Sequence, residues 1–263
     1  MKKFLVIGNP IEHSLSPKLH NYWIKSNNID AIYEKKKLDE DELGDTVLQI
    51  KQKKIEGINV TVPFKKTIIP FLDELTTEAK NTQSVNTLYL KDNKVIGHNT
   101  DIIGFETSIK KSNFNIFNKE VLILGAGGVV PSIIFALKKM KASKIKISNR
   151  TKEKAENLKK LFKNIEIIEW GEIPNFDVII NATSIGLKKD DYINLDFSLI
   201  SKNTLFYDVI YNPRETNFLK TGKNSGNTIL NGKLMFIYQA LSAFNIWHGI
   251  EPRVNGNVIK LLD

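Results

Sequence analysis

Four short stretches of this 263-residue chain carry side chains able to do chemistry. The first is "GINVTVPFKKT", where Lys65 follows a run whose polar members, Asn59 and Thr61, are uncharged. Alternation along a strand sets Val60 and Val62 on one side and Asn59 and Thr61 on the other, a neutral polar face that ends at a lysine and suits a cleft. Lys65 stands just past Pro63, where a helix is expected to begin, and a cation in a first turn meets the unfavourable end of the helix dipole. Plain solvent exposure of Lys65 and Lys66 is the alternative. The second stretch is "GHNTDIIGFETSIKK", in which Asp101 precedes an apolar-periodic run and reads equally as an ordinary N-cap.

The third is "IGNPIEHSLSPKLHN". Ser16 ahead of Pro17 is expected to cap a helix whose first position is proline. A hydroxyl has one donor and two acceptor lone pairs, so Ser16 can cap and still donate to a bound group. Ser14 lies on the same side if the segment is extended, and capping gives it no task. The fourth is "LILGAGGVV", which follows a strand and opens a helix, the context a dinucleotide fingerprint requires. Gly125 makes the tight turn and Gly127 admits a pyrophosphate, while N–H groups beyond Gly128 point at it. Val130 stands where Gly or Ala is usual. Downstream, "ISNRTKEK" has Arg150 and no acid before Glu153, and a guanidinium there holds a 2′-phosphate where a carboxylate would repel it. The pattern favours NADP over NAD; surface exposure of Arg150 and helix capping by Thr151 are the alternatives.

The elements that must position these residues read as an α/β chain in two domains. Short apolar runs alternate with helical patterns: "KFLVIG" strand, "SPKLHNYWIKSN" helix, "AIYEKKK" strand, "DEDELGDTVLQIKQ" helix, "GINVTVP" strand, a short helix from Lys65, then two strands in "SVNTLYLKDNKVIG" turning at "KDN". This half is expected to form a mixed sheet. From Glu120 a cleaner βαβ series follows, with strands in "EVLILGAGG", "SKIKISNR", "NIEIIEW", "FDVIINATS" and "TLFYDVIY". The unbroken apolar runs "VLIL" and "VIIN" suit strands buried on both faces of a doubly wound, Rossmann-type sheet. Helical patterns in "GKLMFIYQALSAFNIWHG" and "PRVNGNVIKLL" close the chain.

Composition removes other chemistries. The chain has no cysteine, so disulfides and thiolate nucleophiles are excluded, and its four histidines are scattered without metal-ligand spacing. No metal is expected. Apolar residues make up 41% of the chain and no run approaches the roughly 20 residues of a membrane helix, so no membrane span is expected. The net charge of +9 invites a nucleic-acid reading, but the lysines sit mostly on polar helix faces such as "KEKAENLKK" and no basic-aromatic module accompanies them. No nucleic-acid partner is expected.

Taken together, "NPIEHSLSPKLHN", "NVTVPFKK", "SVNTLYL", "GHNTDIIGF", "GAGG", "SNRT", "INATSIG", "YDVIYNP" and "MFIYQALSAFNIWHG" occur in the order and spacing of the shikimate dehydrogenase family, which the whole chain resembles. The resemblance implies reversible reduction of 3-dehydroshikimate to shikimate by NADPH, a step of the chorismate pathway to aromatic amino acids, with Lys65 and Asp101 flanking the reacting oxygen. It implies further substrate contacts from Thr61, Asn86 and Gln239 to ring hydroxyls and from Ser14, Ser16 and Tyr211 to the carboxylate. For the cofactor it implies Gly125, Ala126, Gly127, Gly128, Val129, Asn149, Arg150, Thr151, Lys154, Val209 and Gly232. It also implies a substrate-binding domain of residues 1–101 plus 236–263, an NADP-binding domain of residues 102–235, and a cleft between them. A cytoplasmic monomer or homodimer acting on a small molecule is expected. Many relatives carry methionine at Val209, a basic or small residue at Pro131 and a second glycine at Leu234, departures that bear on nicotinamide packing and cofactor affinity. Rival readings are a quinate/shikimate dehydrogenase with broader cofactor use, a methylenetetrahydrofolate dehydrogenase, whose pattern lacks the paired serines and "NTD", and a catalytically silent NADP-binding regulator.

Overall fold

The computed structural model describes residues 1–188 and 190–263. In chain order its elements are β1 (Lys2–Gly8), α1 (Ser16–Ser26), β2 (Ala31–Lys37), α2 (Leu43–Lys51), β3 (Gly57–Val60), β4 (Glu74–Leu75), α3 (Thr77–Thr82), β5 (Thr87–Lys91), β6 (Lys94–His98), α4 (Asp101–Lys111), β7 (Glu120–Leu124), α5 (Val130–Lys139), β8 (Lys144–Ser148), α6 (Lys152–Leu161), β9 (Glu166–Ile167), β10 (Val178–Asn181), β11 (Leu205–Asp208), α7 (Asn217–Asn224), β12 (Thr228–Leu230), α8 (Lys233–His248) and α9 (Gly256–Lys260). They divide into two compact units, Met1–Gly104 with Ile237–Asp263, and Phe105–Phe236. The boundaries fall inside α4 and α8.

The first unit holds a six-stranded mixed sheet in the order β2-β1-β3-β5-β6-β4. β1 pairs in parallel with β2 and β3, whereas β5 runs antiparallel to β3 and β6. Asp92 and Asn93 both take positive φ in the β5–β6 turn, a conformation that short polar side chains tolerate and that matches the strand twist of a hairpin. One apolar core joins Leu5 and Ile7 of β1 to Leu43, Val47 and Ile50 of α2 and Leu88 of β5. The other side is aromatic: His20 stacks on Tyr33 at 4.1 Å, and Trp23, Phe244 and Trp247 surround it. Burial pushes His20 down to about 3, so it packs as a neutral ring. The Trp247 indole N–H donates to the Leu88 carbonyl at 3.0 Å, and its ring covers Gly57, where a Cβ would stand 2.2 Å from Nε1. Only glycine fits that position.

The second unit is a parallel six-stranded sheet in the order β9-β8-β7-β10-β11-β12, the doubly wound Rossmann arrangement. β7 and β10, the "VLIL" and "VIIN" runs, lie side by side at its centre and are buried throughout those runs. Their apolar residues pack with Phe176, Phe206, Phe218 and Leu219. Order reverses between β7 and β10, so the turn after β7 opens at the switch point where such sheets bind ligands.

Several expectations change. No α-helix starts at Lys65: residues 62–68 form turns that lead into a 3₁₀ turn at Ile69–Phe71. Thr67, Ile68 and Ile69 are β-branched and Pro70 lacks an N–H, a poor run for helix propagation. Val62 does not share the side of Val60, because β3 ends at Val60; Val60 is buried and Val62 is 57% exposed. The strand read in "NIEIIEW" shortens to Glu166–Ile167, and the last helix to Gly256–Lys260. α3, α7, β4 and β12 were not anticipated; α3 and α7 are short helices whose Thr76 and Thr216 hydroxyls cap them. Among the described residues no helix is long and apolar enough to cross a membrane.

Candidate active site

Lys65 and Asp101 are brought together in the first unit. The Lys65 ammonium stands 2.5 Å from Asp101 Oδ2, and the side chains are 12% and 8% exposed. The chain places Lys65 by anchoring its neighbours: Phe64 and Ile68 are buried, Phe64 N–H donates to the Thr61 carbonyl, and the Lys65 carbonyl accepts from Val85 N–H at 2.8 Å. A turn pinned on both sides of the lysine holds the ammonium without any helix.

Asp101 opens α4, yet its carboxylate does not cap the helix. Asn99 Oδ1 accepts the Asp101 N–H at 3.1 Å and takes that task, which frees the Asp101 side chain for other partners. Its Oδ1 accepts from Asn86 Nδ2 at 2.9 Å. Gln239, on α8, brings Oε1 to 3.5 Å from the same Asn86 nitrogen. Lys65, Asp101, Asn86 and Gln239 therefore form one contiguous polar group.

Ser14, and not Ser16 as expected, serves the start of α1. The N-cap position belongs to Leu15, and Ser14 Oγ accepts the Ser16 N–H at 3.3 Å, so the helix start is served by Ser14. Proline at position 17 supplies no donor, which leaves the Ser16 N–H as the group to satisfy. Thr61 lies against Gly8, where a Cβ would stand 2.5 Å from the threonine methyl. Tyr211 belongs to the second unit and stacks on Phe236 at 4.5 Å.

The predicted cofactor residues lie in the second unit, Val209 and Gly232 in mutual contact. Gly125 has φ +109° and its N–H donates to the Ser148 carbonyl at 2.8 Å. A Cβ there would stand 2.8 Å from the Ala182 carbonyl, so both backbone angle and space demand glycine. Gly127 differs: a Cβ would find only the Ala182 oxygen, at 3.8 Å. Its bare surface faces open space, as close approach of a phosphate requires. Ala126, Gly128 and Val129 continue the turn into α5, whose first turn carries no side-chain cap and no acid, so the positive end of its dipole meets no negative side chain. Val130 is fully buried at the start of the helix, and Pro131 occupies the first turn, where its missing N–H is no loss.

At the end of β8, Arg150, Thr151 and Lys154 are exposed and Asn149 is half-buried. The Thr151 hydroxyl does not cap α6; the Thr151 carbonyl instead accepts from Asn149 Nδ2 at 2.8 Å. Gly232 lets its loop lie against β11, since a Cβ would stand 2.0 Å from the Val209 carbonyl, and its N–H donates to the Ile210 carbonyl at 3.0 Å. Glycine turn and uncapped helix start fit a dinucleotide's pyrophosphate, and the basic rim at Arg150 and Lys154 fits its 2′-phosphate.

Residues outside the expected set hold both regions in place. Asn59, Thr87, Asn99 and Thr100 are buried around Asn86 and Asp101. In the second unit Asp208, directly before Val209, accepts from Thr216 Oγ1 at 2.6 Å, from Ile210 N–H at 3.0 Å and from Asn181 Nδ2 at 3.1 Å. Burial pushes its carboxyl up to about 6, against the pull of those neutral donors. The available signal was a polar residue inside an apolar run: "GINV", "IINA", "FYDV".

Two family profiles match the chain: the shikimate dehydrogenase substrate binding domain over residues 6–88, and shikimate / quinate 5-dehydrogenase over residues 108–217. The chain is 63% identical over 262 residues to the shikimate dehydrogenase (NADP(+)) of Pelagibacter ubique, covering 100% of this chain and 99% of that protein. The crystal structure of shikimate dehydrogenase from Aquifex aeolicus superposes with a TM-score of 0.89 at 38% identity, covering 100% of this chain and 97% of the other. That of the Thermus thermophilus shikimate 5-dehydrogenase in complex with NADP(H) and shikimate gives 0.91 at 27% identity, covering 100% and 98%.

Proposed function

The chain belongs to the shikimate dehydrogenase family, and on that premise we propose that it catalyses the reversible NADPH-dependent reduction of 3-dehydroshikimate to shikimate, a CH–OH oxidoreductase of the chorismate pathway to aromatic amino acids. The observation that carries the reading is the Lys65–Asp101 pair, at 2.5 Å and nearly buried, with Asn86 and Gln239 beside it.

Lys65 is the acid in reduction and the base in oxidation: its ammonium gives a proton to the alkoxide that forms at the carbonyl oxygen and recovers it from the alcohol in reverse. Asp101 holds the ammonium at that oxygen and is itself held by Asn86. Thr61, Asn86 and Gln239 bond the ring hydroxyls, and Ser14, Ser16 and Tyr211 donate to the carboxylate. Ser14 reaches that task while its lone pair accepts the Ser16 N–H, since the hydroxyl proton stays available. Met1–Gly104 with Ile237–Asp263 is the substrate-binding unit, and Phe105–Phe236 the NADP-binding unit.

The Gly125–Val129 turn holds the pyrophosphate, Asn149, Arg150, Thr151 and Lys154 the adenosine 2′-phosphate, and Val209 and Gly232 the nicotinamide side. Bound NADPH supplies the hydride. The protein works as a cytoplasmic enzyme, monomer or homodimer, on a small soluble acid.

Initial rates with NADP and NAD, each on shikimate and on quinate, test the reading. The expected result is a strong preference for NADP and shikimate. Equal turnover of quinate would move the assignment to quinate/shikimate dehydrogenase, and no turnover of either acid would overturn it.

A further inference from the structure

Asn59, Asn86, Thr87 and Thr100 are between 0% and 6% exposed, so hydrogen bonds among them are not traded with water. Backbone groups, which act in one sense only, set the direction of both amides. The Asn86 carbonyl accepts from Asn59 Nδ2 at 3.0 Å, so Asn59 turns its nitrogen that way and its Oδ1 toward the Tyr33 hydroxyl, at 2.7 Å. Thr100 N–H donates to Asn86 Oδ1 at 2.7 Å, so Asn86 turns its nitrogen toward Asp101. The second Asn59 proton meets Thr87 Oγ1 at 3.1 Å, and Thr87 is thereby an acceptor with one proton of its own to give.

That proton has two destinations: Asn86 Oδ1 at 3.1 Å, or Thr100 Oγ1 at 3.2 Å, which is itself 3.1 Å from Asn86 Oδ1. By either route Asn86 Oδ1 is saturated from inside. Asn86 Nδ2 faces three acceptors with two protons: Asp101 Oδ1 at 2.9 Å, Thr100 Oγ1 at 3.0 Å and Gln239 Oε1 at 3.5 Å. When Thr87 donates to Thr100, Thr100 gives its own proton to Asn86 Oδ1, and the amide has no need to spend its second proton on Thr100.

We propose that Thr87 is a positioning residue for this reaction: its hydroxyl orders the Thr100–Asn86 pair so that Asn86 keeps one amide proton on Asp101 and turns the other to a ring oxygen of the hydroxylated acid. The proposal rests on the substrate reading given above. Cooperative strengthening of about 10–30% per bond fades along such a chain, so Thr87 acts by fixing geometry and not by relaying charge.

The test compares Thr87→Val, which keeps shape and removes the hydroxyl, with Thr87→Ser, which keeps the hydroxyl and trims a methyl group. In Thr87→Val the KM for shikimate rises about threefold to tenfold, the scale of one buried hydrogen bond, with the KM for NADP unchanged. Thr87→Ser stays within about twofold of wild type, and in an Asn86→Ala background Thr87→Val adds less than about twofold, because it acts through Asn86. If Thr87→Val does not fold, Thr87→Cys, a weak donor of similar size, takes its place. Equal damage in the hydroxyl-free variant and Thr87→Ser, an unmoved shikimate KM without the hydroxyl, or a full further effect in the Asn86→Ala background overturns the proposal while the functional reading stands. A wild type that neither binds shikimate in calorimetry nor oxidises it overturns both.

Discussion

In the proposed function the corner around Lys65 and the turn after β7 recognise by opposite means. At Lys65 the working groups are side chains: an ammonium 2.5 Å from a carboxylate that an asparagine holds at 2.9 Å, inside a shell of further buried amides and hydroxyls. At Gly125 the backbone itself is presented, and the side chain matters by being absent, since a Cβ there would stand 2.8 Å from the Ala182 carbonyl. Side-chain sites tolerate little change of residue type, because a buried partner left unpaired costs about 1–3 kcal/mol. Backbone sites tolerate any residue that keeps the turn, which is how Val130 and Pro131 are accommodated at the start of α5.

Substitutions on the two sides separate these modes. The largest effect is expected from Lys65→Ala: turnover falls by roughly two to four decades, the usual scale for a general acid–base group, with shikimate binding far less affected. Steady-state kinetics check it, and near-normal turnover would remove Lys65 from the chemistry.

Asp208 sharpens the contrast, because it is a buried carboxyl held by neutral donors while Asp101 has a lysine. Its folded-state value of about 6 lies above the ordinary 3.8, so its stabilising contribution is complete below about pH 4 and lost as pH rises through about 6. At about 1.4 kcal/mol per unit, the loss is on the order of 3 kcal/mol. Asp208→Asn lacks this component. Its stability relative to wild type should therefore improve between pH 5 and pH 8 in urea unfolding; parallel profiles would contradict the buried titration. Two histidines, buried His20 and half-buried His248, run the other way. His20, pushed down to about 3, and His248, to about 4, contribute stability that is present above the ordinary 6.5 and lost as pH falls.

Arg150→Ala comes next. Removing a guanidinium from a 2′-phosphate should lower kcat/KM for NADP by roughly ten- to a hundredfold, the range of a charge-assisted hydrogen bond, and leave NAD nearly unmoved. An equal fall for both cofactors would place Arg150 outside the phosphate site. The smallest effect belongs to Ser14→Ala, which should raise the KM for shikimate less than about tenfold, leave that for NADP alone, and destabilise the start of α1 by about 1 kcal/mol. A stability loss with an unchanged shikimate KM would reduce Ser14 to a helix start.

What the sequence revealed follows the same division. From β7 to β11 the second unit was legible in order, since unbroken apolar runs and a glycine turn between strand and helix are local patterns, whereas α7 and β12 carry no such signal. Lys65 and Asp101 were legible as residues, but their 36-residue separation hid what joins them. The helix predicted at Lys65 failed because Phe64 and Ile68 anchor that turn in a core whose other members include residues of β1, α2, β3, β5 and β6. The capping task read for Ser16 falls to Ser14, since an N–H near a proline can be met from either side. Asp208 in "FYDV" and Thr87 in "NTLYL" are polar positions beside apolar ones, a pattern whose meaning depends on partners supplied from other segments.

The first unit is split in the chain, and that division sets an order on synthesis. The aromatic stack on β1 and α1 lacks Phe244, Trp247 and His248 until the segment from Ile237 onward has been made, and Gly57 stays uncovered without the Trp247 ring. Phe105–Phe236 is continuous and complete earlier. On the ribosome, where domains ordinarily mature from the amino terminus, the later part of this chain can reach its native packing first, and the earlier part waits with an open apolar face for its closing helix.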